Sequence, residues 1–181
     1  MNESLASPLH NGPHQECHVR CAAPTEAHFL SDLALRSKAL WGYSPEFLDA
    51  CRDELTYTAE QIADPERSFA VAELGGVVAG FYQLEGLSRA EPELGALFVD
   101  PAKIGRGIGR LLLRHAEREA RERGAAALVI QSDPYALGFY IAEGAVVTGW
   151  RESGSIAGRF LPLLWLSLNA RPEREGEQCH E

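Results

Sequence analysis

The sequence predicts a mixed α/β domain: one sheet of about six to seven strands with flanking helices. Three observations carry this. Short apolar runs of strand length alternate with segments of helical spacing. One apolar strand ends at Asp100-Pro101 and runs through a loop with three alternating glycines, Gly105, Gly107 and Gly109, directly into a helix. Gly75-Gly76 joins two further apolar runs, the pattern of a tight hairpin.

The elements follow in order. A first strand covers residues 17–22. Pro24 at the first helical position, with Thr25 and Glu26 in the first turn, opens a helix to about residue 40, with Phe29, Leu30, Leu33 and Leu40 at helical spacing. Trp41-Gly42-Tyr43 breaks it, and Ser44-Pro45-Glu46 starts a second helix over residues 45–55. Strands are expected at residues 68–74, 77–84 and 93–99. The central helix covers residues 108–123, ended by Gly124, with Ile108, Leu111, Leu112 and Ala116 on its apolar side. Glu117 with Arg121 and Glu119 with Arg123 are spaced for pairing on the other side. A buried strand at residues 126–131 leads to Asp133, the expected N-cap of a short helix with Pro134 at its first position, ending near Gly144. Two strands, at residues 146–151 and 161–168, complete the domain. The domain is expected over residues 17–169, with a polar leader at 1–16 and a charged tail at 170–181.

With 181 residues and 45% hydrophobic content the chain can bury a sizeable core. Its 26 acidic against 17 basic residues, a formal charge of −9, argue against nucleic acid as a partner. No apolar run approaches the roughly 20 residues of a membrane span, and the first residues lack the basic and apolar regions of a signal peptide. A cytoplasmic protein with reduced thiols at Cys17, Cys21, Cys51 and Cys179 is expected. His14, Cys17, His18 and Cys21 match no standard zinc spacing, so no metal is expected.

The glycine loop aims several backbone N–H groups and the positive end of a helix at one spot, which suits a phosphate or pyrophosphate. Between Pro101 and Ala116 there is no acidic residue, yet Lys103, Arg106, Arg110 and Arg114 all occur, against the acidic background. The run is no Walker A loop, since no Gly-Lys followed by Ser or Thr occurs. It is no dinucleotide fingerprint either: the sixth position is Arg110 counted from Gly105 and Leu112 counted from Gly107.

Phe98-Val99-Asp100-Pro101, the loop Gly105-Arg106-Gly107-Ile108-Gly109, and the later Asp133-Pro134, Phe139-Tyr140 and Gly144-Ala145 together resemble the GNAT superfamily of acyl-CoA-dependent N-acetyltransferases, over roughly residues 17–168. Residues 37–43 and 153–159 also resemble a loosely defined bacterial subgroup of that superfamily. The chain departs from the family loop at Ile104, where Gln or Arg is usual, and Lys103 and Arg106 are the residues that would supply the charge.

The resemblance implies a mixed, V-shaped sheet splayed between its fourth and fifth strands, with acetyl-CoA as cosubstrate. Its pyrophosphate would lie on Ile104, Gly105, Arg106, Gly107, Ile108, Gly109 and Arg110, and its pantetheine arm would pair with the backbone of Phe98 and Val99, near Phe139. Asp133 caps its helix or contacts the arm, capping being the simpler role. Tyr140 is the implied acid for the leaving thiolate, or a core aromatic. A lysine-like amine, with a pKa of about 10.4, lies roughly 4–5 kcal/mol from its neutral form at pH 7, so a base is needed. Glu93, acting through water, is the candidate, with Glu85 and Glu91 behind it; a solvated strand-end carboxylate is the alternative for Glu93. Trp41 and Tyr43, with Glu85, line the acceptor pocket, or the two aromatics belong to the core. Ser153, Ser155 and Arg159 touch substrate or a second copy in a homodimer. The implied activity is acetyl transfer to a primary amine of a small molecule or peptide by direct attack on the thioester. The alternative is a non-catalytic acyl-CoA-binding module of the same fold.

Overall fold

The computed structural model describes residues 17–169. The expected leader and tail, and with them His14 and Cys179, lie outside the described residues.

Seven strands form one mixed sheet: β1 (Cys17–Cys21), β2 (Arg67–Leu74), β3 (Val77–Glu85), β4 (Glu93–Val99), β5 (Ala127–Gln131), β6 (Val146–Glu152) and β7 (Phe160–Ser167). Their order is β1-β2-β3-β4-β5-β7-β6. All neighbours are antiparallel except β4 and β5. Those two parallel strands share one paired position, Glu93 with Val129, and then diverge. The sheet therefore opens as a V whose neck is at Glu93 and whose mouth is at Val99. Just past the neck, Gln83 pairs with Ala96 and Leu84 with Leu94, so Gly95 is an unpaired extra residue. A bulge of this kind ends regular pairing and re-aims the strand.

The helices are α1 (Ala27–Ala39), α2 (Pro45–Ala50), α3 (Ala59–Ala63), α4 (Ile108–Glu122) and α5 (Leu137–Ala142). Two clusters cover the two faces of the sheet, as alternation along each strand requires. On one face Ile108, Leu112, Leu113, Ala116 and Ala120 of α4 pack on Ala70, Ala72, Tyr82, Leu84 and Leu94, and Tyr140 of α5 joins them. On the other, Leu30, Leu33 and Ala34 of α1 pack with Tyr57 on Phe69, Val71, Phe81 and Ala96.

Several sequence expectations are corrected. Pro24–Glu26 forms a separate 3-10 turn before α1, and Phe29 and Leu40 are 40% and 50% exposed rather than core. The second helix stops at Ala50, although turns continue to Leu55, whose N–H donates to the Cys51 carbonyl at 3.1 Å. The third helix was not foreseen; Thr58 and Gln61 form its capping box. Helix α5 starts at Leu137, and Asp133 caps only the turn before it, accepting from Tyr135 N–H at 3.1 Å. No helix among the described residues is long and apolar enough to cross a membrane.

Candidate active site

Strand β4 ends at Asp100, whose carboxylate accepts from Ala102 N–H at 2.9 Å and meets Arg36 of α1 at 3.2 Å. The loop then turns back through Gly105 and Gly107, both left-handed at φ +81° and +76°. Gly107 is the N-cap of α4, and the first helical bond runs from Leu111 N–H to the Gly107 carbonyl at 3.0 Å. The N–H groups of Gly105, Arg106, Gly107, Ile108 and Gly109 find no acceptor among the described residues. Nothing lies within 4 Å of a Cβ built on Gly105 or Gly107, so this concave strip of donors is open. Unengaged N–H groups at a helix N-terminus are the kind of donor array that suits an anion.

A cavity of about 840 Å³ leads away from the loop, lined in turn by Val99, Phe98, Ala96 and Glu93 along β4. It takes in Ile104, Gly105, Gly107, Ile108, Gly109 and Arg110 at the loop, Asp133, Phe139 and Tyr140 beyond β5, and Trp41 and Glu85 on the α1 side. The fold thus gathers most of the expected site residues around one space. Arg106 is exposed and does not line the cavity, nor does Glu91, whose carboxylate accepts from Trp165 Nε1 at 3.3 Å.

Tyr140 is only 6% exposed, and burial pushes its phenol well above the usual range. The hydroxyl has no hydrogen-bond partner among the described residues, although the residue lines the cavity. Its proton is therefore retained and available to a ligand.

Glu93 is not free: Arg151 Nη1 donates to both its carboxylate oxygens, at 2.7 and 2.8 Å. Its cross-strand partner Glu85 is less encumbered, met by Arg67 at 3.4 Å and Gln83 Nε2 at 3.5 Å.

Two members of the basic cluster also hold a buried carboxylate. Arg110 Nε donates to Glu143 at 2.7 Å and Arg114 Nη2 to the same carboxylate at 3.0 Å. The Glu143 side chain is 3% exposed, so these two guanidiniums compensate a buried charge from the end of α5. Along the sequence Glu143 lies about thirty residues beyond the cluster, so local charge counting could not see it. Among the lining residues, Lys103 remains at the loop without an ion pair among the described residues.

Asp133 has a role the sequence did not reveal. Tyr43 OH donates to its carboxylate at 2.9 Å, Lys38 lies at 3.6 Å and Arg159 at 3.5 Å. Arg159 Nη2 also donates to Tyr43 OH at 2.7 Å. Desolvation and the Asp133 charge push the Tyr43 phenol up to about 12. Beside this, Trp41 and Tyr135 stack at 5.2 Å and 2° between planes. Residues before and after α1's end are thereby clasped to the turn after β5, bridging the two lips of the V. Tyr43 is a clasp residue and does not line the cavity, whereas Trp41 does.

With this geometry in hand, the comparisons with known proteins are decisive for the class. The acetyltransferase (GNAT) family model matches residues 33–143, and the chain belongs to that family. The chain is 36% identical over 96 residues to the N-alpha-acetyltransferase RimI of Mycobacterium tuberculosis (strain ATCC 25618 / H37Rv), a match covering 51% of this chain and 60% of that relative. The fold is similar to PaiA N-acetyltransferase from Thermoplasma acidophilum in complex with coenzyme A, with a TM-score of 0.68, 18% identity, and 84% of this chain and 99% of that one covered. It is also similar to YncA of Salmonella typhimurium with acetyl-CoA, described as a putative acetyltransferase, with a TM-score of 0.61, 23% identity, and 86% and 96% covered.

Proposed function

We propose that the chain transfers an acetyl group from acetyl-CoA to a primary amine of a small molecule or peptide. The observation that supports this most is the strip of unengaged N–H groups from Gly105 to Gly109, set at the end of a cavity that runs through the splayed strands to Tyr140. The strip suits a diphosphate, and the cleft between β4 and β5 leaves strand-edge groups of Phe98 and Val99 for an extended amide-bearing arm.

The amine arrives as an ammonium and must lose a proton. We assign that role to Glu85, through water, because both carboxylate oxygens of Glu93 are already engaged by Arg151. Attack then forms the amide bond and breaks the carbon–sulfur bond. Free thiols have a pKa of about 8.5, below that of a phenol. Tyr140, held protonated by burial, therefore stabilises the departing sulfur as a hydrogen-bond donor, and the proton released from the amine neutralises it.

The test has two parts. Calorimetry with CoA should give saturable binding that Gly107→Glu abolishes. Thiol release from acetyl-CoA, followed across an amine panel, should accelerate with at least one amine. CoA binding without thiol release on any amine would favour a binding module. Absence of binding would overturn the reading.

A further inference from the structure

The two ends of the cavity differ in charge. At the loop end stand N–H groups and Lys103. At the far end, at the neck of the V and beyond it, Glu93 and Glu85 and then Asp53 and Glu54 line it. Glu85 and Glu93 are offset by Arg67 and Arg151. Asp53 and Glu54 have no ion-pair partner among the described residues.

A second, independent observation lies among these carboxylates. Tyr57 is 8% exposed, its ring set edge-on against Phe69 at 5.5 Å and Phe81 at 5.4 Å. Its main-chain N–H donates to Ser31 Oγ at 2.9 Å, but its hydroxyl has no partner among the described residues. The hydroxyl is not sealed off: it opens on the cavity next to acidic groups, where a ligand can reach it. Burial and the charges of Glu54 and Glu85 push its phenol well above the usual range, so the oxygen is a neutral acceptor that lacks a donor. Gln83, 5% exposed, lines the same wall and makes only the 3.5 Å contact to Glu85. A compact cation with several N–H donors would bridge the hydroxyl oxygen and the exposed carboxylates of Asp53 and Glu54.

The far end borders the loop between β6 and β7, whose Gly154 lines it. Between β6 and β7, Ser155 Oγ donates to Glu54 and reaches Cys51 Sγ at 3.5 Å. Arg159 lies over the Phe47 ring at 4.8 Å, which fixes the loop to α2. A long cavity with an acidic wall remote from the loop suits a small, extended cationic ligand.

We propose that Tyr57, Glu54 and Asp53 form a subsite for a second ammonium group, so that the acceptor is a small linear diamine or polyamine. One amine faces the neck at Glu85 while the other is held at Tyr57. This rests on the acetyltransferase reading above and narrows its acceptor.

The test is calorimetric titration with 1,4-diaminobutane, spermidine, n-butylamine and an uncharged-side-chain tripeptide, run with and without saturating CoA. The diamine should bind at least ten-fold more tightly than n-butylamine. Tyr57→Phe, which keeps the ring and its packing, and Glu54→Gln should each shrink that ratio several-fold. Equal affinity for the two amines would overturn the proposal, as would tighter binding of the tripeptide or a ratio unchanged in both natively folded variants. The diamine ratio is read in either arm, so a lack of heat with CoA would count against the acetyltransferase reading and not against the subsite.

Discussion

Tyr140 and Tyr57 are both buried phenols whose hydroxyls lack a partner among the described residues, yet their neighbours give them different work. Tyr140 sits among apolar residues of the α4 face, and its shift comes from burial alone. Tyr57 sits near carboxylates. Replacing Tyr140 with Phe should lower kcat by about 10²-fold or more, the usual range for losing one hydrogen-bond donor to a developing anion, with little change in affinity for CoA; stopped-flow turnover and calorimetry read the two separately. Because burial raises the Tyr140 pKa above that of a free phenol near 10, the proton stays on through pH 9. The pH–rate profile of the wild type should therefore rise as the amine and its base deprotonate and show no descending limb below pH 10. A descending limb near pH 8 that disappears in the Phe variant would refute this. At the loop, Gly107 is constrained by its φ of +76° and not by space. Gly107→Ala should cost about 1–2 kcal/mol, measured as a shift in urea midpoint at unchanged m.

Among the elements, β4 is the one on which the site hangs, and its neighbour β3 limits what it tolerates. A Cβ on Gly80 would stand 2.7 Å from the Phe98 carbonyl and 3.1 Å from Leu112 Cδ1. Gly80→Ala should destabilise the domain by about 1–3 kcal/mol. Because the clash is with backbone, it should also weaken CoA binding by displacing Phe98. The α4–α5 contact predicts the opposite pattern. Arg114→Ala removes one of the two guanidiniums on buried Glu143 and should cost about 2 kcal/mol in denaturant melts while leaving CoA affinity within two-fold. A large loss of CoA affinity in Arg114→Ala would restore that residue to the anion site.

At the scale of the whole molecule, titrating groups make the fold acid-sensitive in two stages. His115 Nδ1 is hydrogen-bonded to the Tyr82 hydroxyl at 2.8 Å, and desolvation, then Arg118, lowers its pKa below 6.5. The unfolded chain therefore protonates first, so stability falls as pH drops through about 6.5. Glu119, which accepts from Tyr82 and Ser68, and Glu26, held by Arg20, have lowered carboxylate pKa values despite burial. Their contribution is present above the unfolded carboxylate value of about 4.5 and is lost as pH falls through the lower folded values. A melting-temperature series from pH 8 to 3 should show both declines, and His115→Gln should remove the first while keeping the second.

The elements themselves were legible in the chain because their signals are local. Strand β4, the Gly75-Gly76 hairpin, the glycine loop and helix α4 each declare themselves within about a dozen residues, through apolar periodicity and turn chemistry. The family resemblance came from the same short stretches. What lay beyond reach was every pairing between distant residues: Arg151 on Glu93, Glu143 beneath Arg110 and Arg114, and the clasp of Tyr43, Lys38 and Arg159 on Asp133. The sequence by itself determined where unengaged main-chain N–H groups gather, since left-handed glycines and a helix start are properties of neighbouring residues. Only the tertiary structure decided which charges are free to act there, because charges compensate across space and a carboxylate's partner can stand anywhere along the chain.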